Sequence, residues 1–65
     1  MVQINGENIA VSGQTIGDYL KQQEIHPQRV AVEYNGAILD KQAYDQTVLN
    51  DGDVVEIVSF VGGGC

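Results

Sequence analysis

Asn50-Asp51-Gly52-Asp53-Val54-Val55-Glu56-Ile57-Val58-Ser59-Phe60 is the stretch that decides the architecture of this chain. Asn and Asp fold their side chains onto their own backbone, and Gly accepts positive φ, so residues 50–53 predict a turn. Val54 to Phe60 follows as the most strand-like run in the sequence, rich in β-branched and aromatic residues. Successive side chains of a strand point to opposite faces. If Val55 and Ile57 face a core, then Glu56, Val58 and Phe60 face away from it. This last strand is expected to pair with the first and so to lie centrally in a sheet.

Working outward, Val2 and Ile4 alternate with Gln3, and Asn5-Gly6 supplies the positive angles of a tight hairpin. Ile9 and Val11 alternate on the return strand, which Gly13 ends. Thr15 is an N-cap residue, and Asp18, three residues on, is placed to reach back and to complement the helix dipole. Ile16, Tyr19, Leu20 and Gln23 share one side at helical spacing, and Gly17 weakens the helix without forbidding it. Pro27 holds His26 in extended geometry, so the helix is expected to finish near Gln23 or Glu24. Val30, Val32 and Tyr34 then alternate as a strand that ends at a second turn, Asn35-Gly36. Ile38 and Leu39 form a short strand, and Lys41 to Asp45 reads as a turn or single helical turn anchored by Tyr44. The expected fold is α+β, a β-grasp: a mixed sheet of four to five strands with one main helix packed on one face.

Composition narrows the function. A chain of 65 residues and 7.0 kDa supports one small core, with no room for a second domain or a deep substrate cavity. A self-sufficient enzyme is therefore not expected. The single Cys rules out an internal disulfide, and one His with one Cys cannot build a zinc site. His26 has no acid or nucleophile at motif spacing and reads as a loop residue. Asp51 and Asp53 lack the further ligands that calcium needs, so their turn role is favoured. Tyr19, Tyr34 and Tyr44 read as core or core-edge residues. Nine acids against three bases give a net charge of -6, which excludes a nucleic acid partner. An acidic surface speeds encounter with a basic protein partner, or simply keeps the chain soluble. No apolar run of about 18 residues offers a membrane span, and the first residues lack the build of a signal peptide. A cytoplasmic protein without membrane contact is expected.

The chain closes with Phe60-Val61-Gly62-Gly63-Gly64-Cys65. Three glycines bring no side chain to a core, so residues 1–61 read as the β-grasp domain and 62–65 as a flexible tail. Composition alone would make that tail a frayed terminus. The order of elements, the run from Leu49 through Val58 and the closing glycines together resemble the ThiS-type sulfur carriers. These are ubiquitin-like proteins that supply sulfur for the thiazole ring of thiamine. The resemblance covers nearly the whole chain.

It implies that a ThiF-type adenylyltransferase, using ATP and Mg²⁺, activates the carboxylate of Gly64 as an acyl-adenylate. A sulfur donor such as a cysteine desulfurase then displaces AMP, leaving a thiocarboxylate for a thiazole synthase. On this reading the carrier holds no cofactor and no catalytic residue of its own. Gly62 and Gly63 thread a narrow channel in the partner, while Val58, Phe60 and Val61 contact its surface. Cys65 departs from the pattern, because carriers of this type end in glycine. It is removed by proteolysis, is an extra residue without a role, or is a working thiol. Two alternatives remain open: a carrier of molybdopterin synthesis, and a ubiquitin-like binding module without tail chemistry.

Overall fold

A computed structural model describes residues 1–60; Val61, Gly62, Gly63, Gly64 and Cys65 lie outside the described residues. The strands are β1 (Val2–Ile4), β2 (Glu7–Ile9), β3 (Val30–Tyr34), β4 (Ala37–Leu39) and β5 (Val54–Ser59), with one α-helix, α1 (Ile16–Gln22). They form one mixed sheet in the order β2-β1-β5-β3-β4. As expected, β5 is central: it runs parallel to β1 and antiparallel to β3. Both hairpins turn where the Asn-Gly pairs stand. Asn5 and Gly6 have φ of 51° and 85°, and Asn35 and Gly36 have φ of 51° and 89°. Two consecutive positive angles match the right-handed twist of the flanking strands.

One strand is shorter than the alternation suggested. β2 stops at Ile9, and Val11 is not part of it. The Val11 N–H instead bonds back to the Ile9 carbonyl at 3.0 Å, which turns the chain inward and leaves the Val11 side chain buried. Two apolar residues two apart reach the same core through different backbone conformations.

The helix starts at Thr15, whose Oγ1 accepts from the Asp18 N–H at 3.0 Å. Asp18 thus takes part through its backbone. Two other N–H groups of the first turn find partners further along the chain: Ile16 donates to the Thr47 carbonyl at 3.0 Å and Gly17 to Tyr44 at 2.9 Å. Tyr19 makes the first intrahelical bond, to the Thr15 carbonyl at 3.0 Å. The donors of Ile16, Gly17 and Asp18, which have no partner within the helix backbone, are therefore all satisfied. Gly17 leaves room for the Asp45 carboxylate: a Cβ there would fall 1.8 Å from Asp45 Oδ1, whereas Asp45 Cα, at 3.4 Å, would be in ordinary contact. The residue that weakens the helix in isolation gives the Asp45 side chain its place beside it.

At the other end Gln23 is the C-cap, Glu24 is left-handed with φ 59°, and Gln23 is exposed rather than part of the buried stripe. The Ile25 N–H bonds to the Leu20 carbonyl at 2.9 Å and the Glu24 N–H to Lys21 at 3.0 Å. That pair of bonds is a Schellman motif, and it folds Ile25 against the core. His26 is extended before Pro27, as its sequence position requires. The core is Ile16, Tyr19 and Leu20 of the helix against Val2, Ile4, Val32 and Val55 of the sheet, closed by Tyr44 and Leu49.

The start of β5 is fixed by one carboxylate. Asp53 accepts from Tyr34 Oη at 2.6 Å, from the Asn50 N–H at 2.9 Å and from Asn35 Nδ2 at 3.2 Å. Asn35 in turn accepts the Val54 N–H on its Oδ1 at 2.8 Å. Nearby, Asp51 accepts from the Met1 ammonium and from Ser12, and those bonds hold its carboxyl below the usual range. The Tyr34 hydroxyl likewise holds Asp53 low, and the same bond pushes Tyr34 above 10.0.

Two outcomes are expected. Glycine at position 24 removes the left-handed penalty of roughly 1–2 kcal/mol and restores part of it as chain entropy. Glu24→Gly is therefore expected to raise stability by about 0.5–1 kcal/mol, read as a higher urea midpoint at unchanged slope. A lower midpoint would show that Glu24 makes compensating contacts. Tyr34→Phe is expected to cost about 1 kcal/mol near neutral pH. A depressed Asp53 adds stability that is complete above its unfolded value of 3.8 and lost as pH falls through the folded value. A raised Tyr34 adds stability that is complete below 10.0 and lost as pH rises through its folded value. The gap between variant and wild type should therefore narrow on acidification; an equal gap at about pH 3 and about pH 7 would exclude the charge of Asp53 from the effect.

Candidate functional site

The site is built on the outer face of β5 and the residue that follows it. Val55 is buried and Ile57 half-buried on the core side, while Glu56 and Val58 face outward, Val58 at 59% exposure. The alternation expected from the sequence holds. Phe60 stands one residue beyond β5, continues the ladder by donating its N–H to the Arg29 carbonyl at 3.2 Å, and is 60% exposed. Its ring does not fold back over the sheet edge into the core.

The Lys41 ammonium holds that ring in place, 5.1 Å from its centroid. Lys41 Nζ also donates to the Val30 carbonyl at 2.8 Å and to Pro27 at 3.4 Å, and lies 5.8 Å from the Tyr44 ring. One cation thus ties the turn after β4 to the start of β3 and to the last described residue before the glycines. Nothing in the spacing of the sequence marks this contact, because the two residues are 19 apart and on different elements.

The rest of the outer face is apolar and acidic. Ala31 stands opposite Val58 in the register, and Ile38, at 72% exposure, stands opposite Glu33 on the outer strand. Glu33 and Glu56 lie directly opposite each other in the register of β3 and β5, and among the described residues neither forms an ion pair. Like charges facing each other across two strands cost the free protein some stability.

The other residues singled out in the sequence take structural positions. His26 is exposed and its Nδ1 accepts from the Gln28 N–H at 3.1 Å, capping the short turn Pro27–Arg29. Asp51 and Asp53 hold turns, and among the described residues no group of three or more His, Cys, Asp or Glu is placed to bind a metal. Tyr19 and Tyr44 are buried and Tyr34 half-buried. No helix among the described residues is long and apolar enough to cross a membrane.

The profile of the ThiS family matches residues 2–64, from the first strand through the glycines. The chain belongs to the ThiS family. It is 41% identical over 66 residues to the sulfur carrier protein ThiS of Bacillus subtilis, covering 98% of this chain and 100% of that one. The crystal structure of the thiamine biosynthesis protein ThiS from Geobacter metallireducens superposes with a TM-score of 0.79 at 33% identity, with 97% of each chain covered. The β-grasp architecture expected from the sequence is thus that of the family. The chain is also 44% identical over 62 residues to a thiazole synthase of Paramagnetospirillum magneticum. That match covers 94% of this chain but spans only 19% of the synthase's length. The ThiS profile stops at Gly64 and leaves Cys65 outside it.

Proposed function

We propose that this ThiS-family chain carries sulfur as a thiocarboxylate on Gly64 and delivers it for thiazole formation in thiamine biosynthesis. It is a carrier protein and not an enzyme. The observation that supports the reading most is that the family match runs past the exposed Phe60 and through the closing glycines to Gly64.

The chemistry resides in the partners. A ThiF-type adenylyltransferase uses ATP and Mg²⁺ to join the Gly64 carboxylate to the α-phosphate, releasing pyrophosphate. A carboxylate is ionised at neutral pH, and the metal offsets the charge of the triphosphate it approaches. A sulfur donor such as a cysteine desulfurase supplies the sulfur that displaces AMP, and a thiazole synthase receives it. The stretch of the Paramagnetospirillum magneticum thiazole synthase that is similar to this chain supports such a synthase as a partner. Val58, Phe60 and Val61 form the contact beside the tail, and Gly62 and Gly63 pass through a channel too narrow for a β-carbon. The use of ATP fits a cytoplasmic protein.

Gly64 is followed by Cys65, so within this sequence its carbonyl is an amide and not a carboxylate. Cleavage of the Gly64–Cys65 bond is therefore a required step. A chain ending at Gly64 is expected to support adenylyltransferase-dependent exchange of pyrophosphate into ATP, while the chain of 65 residues is inert. Equal exchange by the mass-verified longer chain would defeat the proposal. Phe60→Ala is expected to weaken binding to the adenylyltransferase by roughly 1–3 kcal/mol with a nearly unchanged thermal melt. A large drop in melting temperature with unchanged affinity would make Phe60 a structural residue instead.

A further inference from the structure

β5 is fully paired on one side only. In its antiparallel ladder with β3, Phe60 donates to Arg29 and Asn35 donates to Val54 at 2.8 Å, so Val54, Glu56, Val58 and Phe60 bond toward β3. Val55, Ile57 and Ser59 aim their N–H and carbonyl groups the other way, toward β1. β1 pairs only as far as Ile4 opposite Val55, where the Asn5 N–H donates to the Val55 carbonyl at 2.9 Å. The Asn5 side chain then substitutes for the missing strand. Its Oδ1 accepts from the Ile57 N–H at 2.7 Å and its Nδ2 donates to the Ile57 carbonyl at 3.3 Å. Ser59 is next in this phase, and among the described residues no partner stands opposite its N–H or carbonyl. A groove of about 390 Å³ opens there, with half-buried Ile25 and Ile57 among its walls and Asn5, His26 and Arg29 beside Ser59.

We infer that this edge receives an extended segment of the thiazole synthase, which pairs with the Ser59 backbone as an added strand and sets an apolar side chain over Ile25 and Ile57. The inference rests on the carrier reading of the tail. Glycines offer a partner no side chains, so they can be gripped only through their main chain. An added strand does this with main-chain bonds, while the groove beside it supplies selectivity. The open phase begins one residue before Phe60 and leads directly into the tail. Asn5 closes the remainder of this edge, so two copies of the chain have too little of β5 open to pair through it.

Amide exchange followed by NMR on the ¹⁵N-labelled full chain, alone and with the thiazole synthase of the same organism, tests this. In the free chain the Ser59 amide should exchange faster than that of Phe60, which is bonded to Arg29. With the synthase bound, Ser59 should gain at least about tenfold protection. Ser59→Pro, which deletes only a donor directed away from β3, should keep the β3 ladder and lose at least about tenfold in affinity, whereas Ser59→Ala should bind as the wild type does. If Ser59→Pro does not fold, protection of the wild-type amide decides alone. Binding evident from shift changes elsewhere, with Ser59 exchanging as in the free chain, would overturn the added strand and leave the carrier reading standing. An absence of shift changes at every residue would overturn both.

Discussion

The pairing of β5 between β1 and β3 is the constraint from which the other features follow. A parallel neighbour cannot be reached by a tight hairpin, so the chain must cross between β1 and β5, and the crossing carries α1 over one face of the sheet. Val55 and Ile57 are thereby turned to the core, while Val58 and Glu56 are turned to the outside. The same strand ends at the root of the glycine tail. Core and outer surface therefore share one strand, and the face that is turned outward is fixed by the residues that are turned inward.

The helix shows how little of this rests on local propensity. α1 has seven residues, two of them Gly17 and a β-branched Ile16, and a helix so short is unstable by itself. It persists because Ile16 and Leu20 are buried against the sheet and because the carbonyls of Tyr44 and Thr47 take up its first N–H groups. The segment between β4 and β5, which has little regular structure of its own, is thus part of the helix's support. A disturbance at Tyr44 or Thr47 therefore acts directly on the helix start.

Local rules made much of the fold legible from the sequence. Asn5-Gly6 and Asn35-Gly36 need positive φ whatever surrounds them, Thr15 can cap without help, and alternation in β3 and β5 has only one register that buries Val32 and Val55. Val11 was misplaced on the return strand because burial at period two does not by itself prove extended backbone. Glu24 at the left-handed helix end was hidden because that position usually holds glycine. Gly17 reads as a weakness until Asp45 is seen 1.8 Å from where its Cβ would stand. The bonds of Asn5 to Ile57 and of Lys41 to Val30 join residues 52 and 11 apart, and no local pattern records them. The role of the glycines came from the resemblance to sulfur carriers, since composition alone would describe them as a frayed end.

Phe60 illustrates why a carrier benefits from weak interactions near its working end. An exposed cation–π contact is worth about 0.5–1 kcal/mol, which shifts a population by about twofold to fivefold. The Lys41 ammonium, held by two backbone carbonyls, therefore favours one position of the Phe60 ring without locking it. A contact of this strength keeps the ring beside Lys41 in the free protein and lets a docking protein displace it at small cost. Glu33 and Glu56 fit the same pattern: opposite each other, and without an ion pair among the described residues, they hold no part of the outer face in place.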